Sequence, residues 1–178
     1  MGSQIELISR PTLVLMAGLP GAGKTSLAYE LGRELQWHVI DKDMYKEVLV
    51  KQGLDDNNAG IAAYELSFAI ARTVMKRQQA SIILDTAAIQ RFIIDDVREI
   101  VDCIIGSRLK VILCVADRDL RNERLRIRTY KSTSIQVDPA TTADYLQYFE
   151  HLPPDKLILF TNTPIEESLA RAKKYVTN

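Results

Sequence analysis

The sequence predicts an α/β chain: three layers, with helices on both faces of a five-stranded, mostly parallel sheet. Three observations carry this: the apolar runs, the helical stretches between them and one glycine-rich turn. Short runs that are apolar on both faces alternate with stretches of helical periodicity along the whole chain. Strands of that kind belong in sheets covered on both sides, joined by right-handed crossovers. The third observation is a glycine-rich turn placed between the first such run and the first helix.

The elements follow in order. Thr12–Ala17 is the first buried strand. The helix from Lys24 carries Leu27, Leu31 and Leu35 on one face, with Gly32 inside it as a weakening residue. A short strand lies near Trp37–Ile40, and a helix is expected to start near Asp43. Gln52–Gly60, rich in Gly, Asp and Asn, reads as a loop. A longer helix then places Ala63, Leu66, Ile70 and Val74 on one face. Ser81–Asp85 is the next strand, and Ile93, Val97, Ile100, Val101 and Ile104 mark a helix. Lys110–Ala116 is a strand followed by an arginine-rich helix over about Leu120–Arg128 and a polar segment, Tyr130–Val137. Tyr145, Phe149 and Leu152 suggest a helix that Pro153-Pro154 ends, and Lys156–Thr161 is the last strand. In the final helix Thr163 reads as the N-cap, Pro164 as the first helical residue and Glu166 as the partner in a capping box.

Composition bounds the partners. The chain of 178 residues, 47% hydrophobic and 26% charged, fits one domain with a full core. Its net charge of +0 gives no global footprint for nucleic acid or an acidic membrane, although a local basic groove is compatible with it. No apolar stretch is long enough to span a bilayer and no signal peptide is visible, so a cytoplasmic location without membrane association is expected. Cys103 and Cys114 sit in apolar patterns and read as two buried thiols of a reducing compartment. Oligomeric state is not encoded in any readable pattern.

The chemistry starts at Gly18-Leu-Pro-Gly-Ala-Gly-Lys-Thr25, which is the G-x-x-x-x-G-K-[ST] phosphate-binding loop in its expected place, after a strand and opening a helix. Glycines let backbone N–H groups turn toward phosphate oxygens, and the helix N-terminus favours negative charge. The loop therefore makes Gly18, Gly21, Ala22, Gly23, Lys24, Thr25 and Ser26 nucleotide-binding candidates. Lys24 would reach the β- and γ-phosphates, and Thr25 would place its hydroxyl on Mg²⁺. The fold class is accordingly a P-loop NTPase fold with a short lid.

The other candidates stand at the carboxyl ends of later strands, where ligands of open α/β sheets bind. Asp43 is either the base that accepts a hydroxyl proton or a helix N-cap. Asp41 reads as a turn residue, and Lys46, one turn on, either meets substrate or phosphate or is solvated. Asp85, ending an apolar run, is placed to organise Mg²⁺ or bind the acceptor hydroxyl, with a turn aspartate as the alternative. The choice of base between Asp43 and Asp85 stays open. Arg121, Arg124 and Arg128 share one helix face, and guanidinium groups stabilise a transferring phosphoryl group well. Tyr64, Phe68, Tyr130, Tyr145, Tyr148 and Phe149 could line an acceptor pocket or pack the core. His38 and His151 have no partners at metal-ligand spacing.

With these residues in place the chain resembles small P-loop kinases over nearly its whole length. It is similar to the AAA_33-type kinases, the zeta-toxin-like and chloramphenicol phosphotransferase-like enzymes, and the kinase module of polynucleotide 5′-kinases. The resembling segments are Gly18–Thr25, Asp41–Lys46, Ile82–Thr86 and Glu123–Arg128. The resemblance implies a single P-loop kinase domain over 1–178 with a lid near 118–137. It implies ATP and Mg²⁺ as cofactors, and transfer to a hydroxyl of a small-molecule or nucleoside-like acceptor. Asp43 matches the base, Arg124 and Arg128 match lid arginines, and Asn162 and Thr163 fall where adenine packs. Polynucleotide kinases carry an arginine where this chain has Lys46, and lysine lacks the bidentate fork. A polynucleotide 5′-hydroxyl kinase and a non-catalytic nucleotide-binding module are the alternatives.

Overall fold

The structure, a computed structural model, describes residues 10–127 and 138–178. Their sheet has five strands: β1 (Thr12–Ala17), β2 (His38–Asp41), β3 (Ile82–Asp85), β4 (Arg108–Val115) and β5 (Leu157–Phe160). The spatial order is β2-β3-β1-β4-β5 and every pairing is parallel. The predicted α/β layers are therefore present, and the sheet is parallel throughout rather than mostly so. Among the described residues no helix is long and apolar enough to cross a membrane.

Helices α1 (Lys24–Leu35) and α7 (Ile165–Thr177) cover one face, and α3 (Asp56–Gln78) and α4 (Arg91–Asp102) cover the other. The alternation of side chains along β1 decides the split. Leu13, Leu15 and Ala17 join Ala71, Met75, Ile93 and Val97 in one cluster. Val14 and Met16 join Leu27, Leu31, Ala172 and Val176 in the other. Gly32 fits this packing: a Cβ there would stand 2.6 Å from Val39 Cγ2, so the helix gives up propensity to approach β2 closely. Short helices α2 (Lys42–Lys51), α5 (Arg118–Ile127) and α6 (Thr142–Gln147) complete the chain, with α2 packed on α3.

Three boundaries differ from the expectations, each for a local reason. α2 starts at Lys42 because Asp41, not Asp43, is the N-cap; its Oδ1 accepts from the N–H groups of Asp43 (3.0 Å) and Met44 (3.1 Å). The loop expected to Gly60 is helix from Asp56, capped by Asp55, whose Oδ1 accepts from Asn57 and Asn58 N–H. The expected capping box at Thr163 is not formed; Pro164 is the N-cap of α7 and no side chain bonds there. A capping box does form at α6, between Thr141 and Asp144. Cys114 is buried as expected, whereas Cys103, at the end of α4, is exposed.

Candidate active site

The strand register brings the site together. Met16 and Asp41 both pair with Asp85, so the ends of β1, β2 and β3 lie side by side at one rim. The glycine loop leaves β1 at this rim and ends at Gly23, a left-handed N-cap with φ 78 for α1. Gly18 shows why the loop needs glycine: φ is 137 and a Cβ would meet Cys114 O at 2.4 Å.

The loop is held from several sides. Gly18 N–H donates to Ala87 O (3.0 Å), just past β3. Leu19 N–H donates to the Tyr145 hydroxyl (2.7 Å), which in turn donates to Cys114 O (2.7 Å). Burial pushes the Tyr145 hydroxyl pKa upward, so it stays a neutral donor. Tyr145 had two readings from sequence, pocket wall or packing; in the structure it is a strut of the loop. Replacing it with Phe keeps the packing and orphans a buried N–H and a buried C=O. Such losses cost about 1–3 kcal/mol, and Tyr145→Phe is expected to lower Tm by several degrees, about 2–4 °C per kcal/mol at this size. An unchanged melting curve by calorimetry would contradict the strut.

Lys24 Nζ donates to Leu19 O (3.1 Å). Thr25 donates its hydroxyl to Asp85, a buried carboxylate whose Oδ1 has no partner among the described residues. Burial pushes Asp85 up to about 6; Lys24 and the Thr25 hydrogen bond oppose this, while Asp41 and Asp43 add to it. An orphaned carboxylate oxygen beside a threonine hydroxyl is chemically suited to a hard divalent cation, which takes oxygen ligands. No group of three or more His, Cys, Asp or Glu placed to hold a metal exists among the described residues. Thr25 and Asp85 are thus a partial donor set, of the kind completed by phosphate oxygens and water.

The raised Asp85 pKa has a sign. The folded chain without ligand binds this proton more tightly than the unfolded chain. The stability it contributes is full below about pH 4, falls as pH rises to about 6, and leaves a penalty of about 3 kcal/mol above that. Asp85→Asn is therefore expected to raise Tm of the nucleotide-free protein more at pH 7.5 than at pH 4.5. Equal shifts at the two pH values would show that Asp85 is not held as described.

With Asp41 taking the cap, the Asp43 side chain stays out of that role. It is 49% exposed and its Oδ1 lies 2.8 Å from Lys42 Nζ. Lys42 itself, given no role from sequence, is a buried lysine, 4.8 Å from the Tyr64 ring centre. Burial, the largest single influence, lowers the Lys42 pKa, but the charge and hydrogen bond of Asp43 together with Tyr64 and Asp41 outweigh it and the pKa is raised. The Tyr64 hydroxyl accepts from Thr86 Oγ1 (3.0 Å), and Tyr64 meets Phe92 edge to face. Lys46 is neither solvated nor turned to this rim's open side. It is 1% exposed and bonded to Asp56 Oδ2 (2.7 Å) on α3.

Arg124 reaches behind the loop, donating to Gly21 O (3.3 Å), Thr161 Oγ1 (3.1 Å) and Thr161 O (2.7 Å). Arg121 is buried against the Tyr145 ring and, with Arg118, pairs with Asp138. Arg128, Tyr130 and the lid over 128–137 lie outside the described residues. Asn162 and Thr163 are exposed beyond β5, with Asn162 Nδ2 donating to Asp117 Oδ2 (2.6 Å). Ala22 is buried in the loop and Ser26 is exposed in the first turn of α1. Lys42 and Thr161 are site residues that sequence reasoning missed, as it missed the strut role of Tyr145. Tyr145 and Thr161 act through contacts distant in sequence; only Lys42 stood inside a recognised segment.

Comparison with known proteins agrees with this fold. The family model AAA_33, described as an AAA domain, matches residues 13–152. A proposed kinase from Chloroflexus aurantiacus superposes with TM-score 0.70 at 21% identity, over 93% of this chain and 98% of that one. The APS kinase CysC of Mycobacterium tuberculosis, solved with AMPPNP and APS, gives 0.66 at 16% identity, over 95% and 99%. A gluconokinase from Sinorhizobium meliloti gives 0.60 at 18% identity, over 94% and 92%. At these identities the likeness is one of fold, and that fold is the one found in these P-loop kinases. No curated protein sequence matches the chain.

Proposed function

The chain belongs to the AAA_33 family of AAA domains, and on that premise we propose that it is an ATP- and Mg²⁺-dependent kinase transferring the γ-phosphate to an acceptor hydroxyl. One observation carries the reading. Met16 and Asp41 both pair with Asp85 in register and the Thr25 hydroxyl donates to Asp85, so the phosphate loop and the ends of β2 and β3 meet at one rim.

In this mechanism the loop amides and Lys24 hold the phosphates. Thr25 and Asp85 would hold Mg²⁺, which would supply positive charge against the phosphates. Asp43 orients the acceptor hydroxyl and takes its proton. Arg124 braces the loop from the β5 side, where Asn162 and Thr163 flank the adenine. Arg128 is the lid arginine proposed to close over the transferring phosphate. APS kinase and gluconokinase, by name, both phosphorylate small molecules, which supports a small-molecule acceptor.

The experiment is transfer of labelled phosphate from ATP to a panel of hydroxyl metabolites, with a 5′-hydroxyl oligonucleotide included. Mg²⁺-dependent transfer to a small molecule is expected. Transfer to the oligonucleotide alone would replace this reading with a polynucleotide kinase. Tight MgATP binding with no transfer to any acceptor would favour a nucleotide-binding module.

A further inference from the structure

Arg124 and Thr161 stand behind the phosphate loop, and together they fix which way its peptide groups face. A guanidinium can only donate. Arg124 Nη1 lies 3.1 Å from Thr161 Oγ1, so the hydroxyl accepts there and turns a lone pair toward Arg124. Its one proton is left for a carbonyl. Ala22 O, at 2.9 Å, is nearer than Val115 O, at 3.3 Å, and takes it. Arg124 Nη2 donates to Thr161 O (2.7 Å), which holds the guanidinium in place, and Nη1 also donates to Gly21 O (3.3 Å). Thr161 and Ala22 are both buried, so these bonds do not compete with bulk water. The fit is close. A Cβ on Gly23 would stand 3.3 Å from Arg124 Nη1 and 3.6 Å from Thr161 Oγ1.

Peptide planarity carries this arrangement to the ligand side. The Ala22–Gly23 peptide is trans. In a trans peptide the C=O of one residue and the N–H of the next point in opposite directions. With Ala22 O held by Thr161, the Gly23 N–H faces away from α5 and β5. Gly21 O, held by Arg124, likewise turns the Ala22 N–H to the other side, where it donates to Leu19 O (3.1 Å) and closes the turn. A loop that binds an anion needs its N–H groups inward and its carbonyls outward. Two consecutive carbonyls are kept outward here by one arginine and one threonine.

We infer that Arg124 and Thr161 are positioning residues for a polyphosphate chain: Arg124 sets the Thr161 hydroxyl, the hydroxyl holds back the Ala22 carbonyl, and the Gly23 N–H is thereby presented to a phosphate oxygen. This rests on the nucleotide-binding half of the reading above and not on the acceptor. Neither side chain touches the ligand in this role; both act through the loop backbone.

The test uses the full chain without any acceptor. Inorganic tripolyphosphate and MgATP are titrated by calorimetry well below Tm, and the Gly23 amide is followed by NMR. Tripolyphosphate is expected to shift that amide in the parent. Thr161→Val keeps the branched shape and should weaken tripolyphosphate about tenfold, with a smaller Gly23 shift. Thr161→Ser restores the hydroxyl and should return affinity to within about threefold of the parent. Arg124→Met should cost at least as much as Thr161→Val. Adding Thr161→Val to it should cost less than about threefold more, because Arg124 acts through that hydroxyl. If Thr161→Val fails to fold, Arg124→Lys gives the same reading, since lysine lacks the fork that spans both Thr161 oxygens and should reduce the Gly23 shift. Parental affinity in a folded Thr161→Val, even with a lowered Tm, would overturn the inference. So would losses at the two residues that multiply, or an unchanged Gly23 shift in Arg124→Lys; each leaves the kinase reading standing. A parent that binds neither tripolyphosphate nor MgATP would remove both.

Discussion

Asp43→Asn is expected to keep MgATP affinity within a fewfold and to lower phosphoryl transfer by about 10²–10⁴-fold, the usual contribution of a positioned general base. The size and shape of the side chain are preserved, and Asp41 still caps α2. What disappears is the charge that takes the hydroxyl proton. The buried Lys42 loses its counter-charge at the same time, so some fall in stability is expected too. Melting curves and calorimetric titration with MgATP separate that fall from the catalytic loss. A variant that folds, binds MgATP and transfers at the parent rate would remove Asp43 as the base.

Lys24→Ala is expected to cost about 10³-fold in transfer, the upper end of the range of about 10²–10³-fold typical of a single lost donor. Two effects combine. The ammonium that would meet the β- and γ-phosphates is gone. Lys24 also heads the influences that keep Asp85 ionised, so its removal pushes that carboxyl further up and weakens its hold on a cation. The second effect is read without nucleotide: Lys24→Ala should steepen the fall in Tm between about pH 5 and pH 8. A fall equal to the parent's over that range would separate Lys24 from Asp85.

The parts legible in sequence were those decided locally. β1 runs from Thr12 to Ala17 as predicted because every residue of it is buried, so no competing pattern exists. The glycine loop is legible because its chemistry lies in eight consecutive residues. The start of α3 was hidden because Asp56, Asn57, Asn58 and Gly60 have turn-like composition. Small residues there serve packing: Ala59 and Ala63 are fully buried, and Gly60 lies against the Lys46 stem. Asp41 and Asp43 are equally good caps by type, and only backbone geometry distinguishes them. Lys46 looks like any helix-surface lysine until α3 is laid over it. Pairings of this sort depend on the fold, and residue type alone carries no trace of them.

The bonds that brace the phosphate loop also set when it can be finished. Leu19 and the Tyr145 hydroxyl are 126 residues apart in the chain, and Gly21 and Arg124 are 103 apart. Closing such long loops comes late on a folding pathway. On the ribosome, the Gly18–Thr25 segment emerges early but waits for nearly the whole polypeptide before it gains its braces. A chain truncated before α6 therefore lacks the Tyr145 brace on Leu19, and the loop is complete only once α6 has been made.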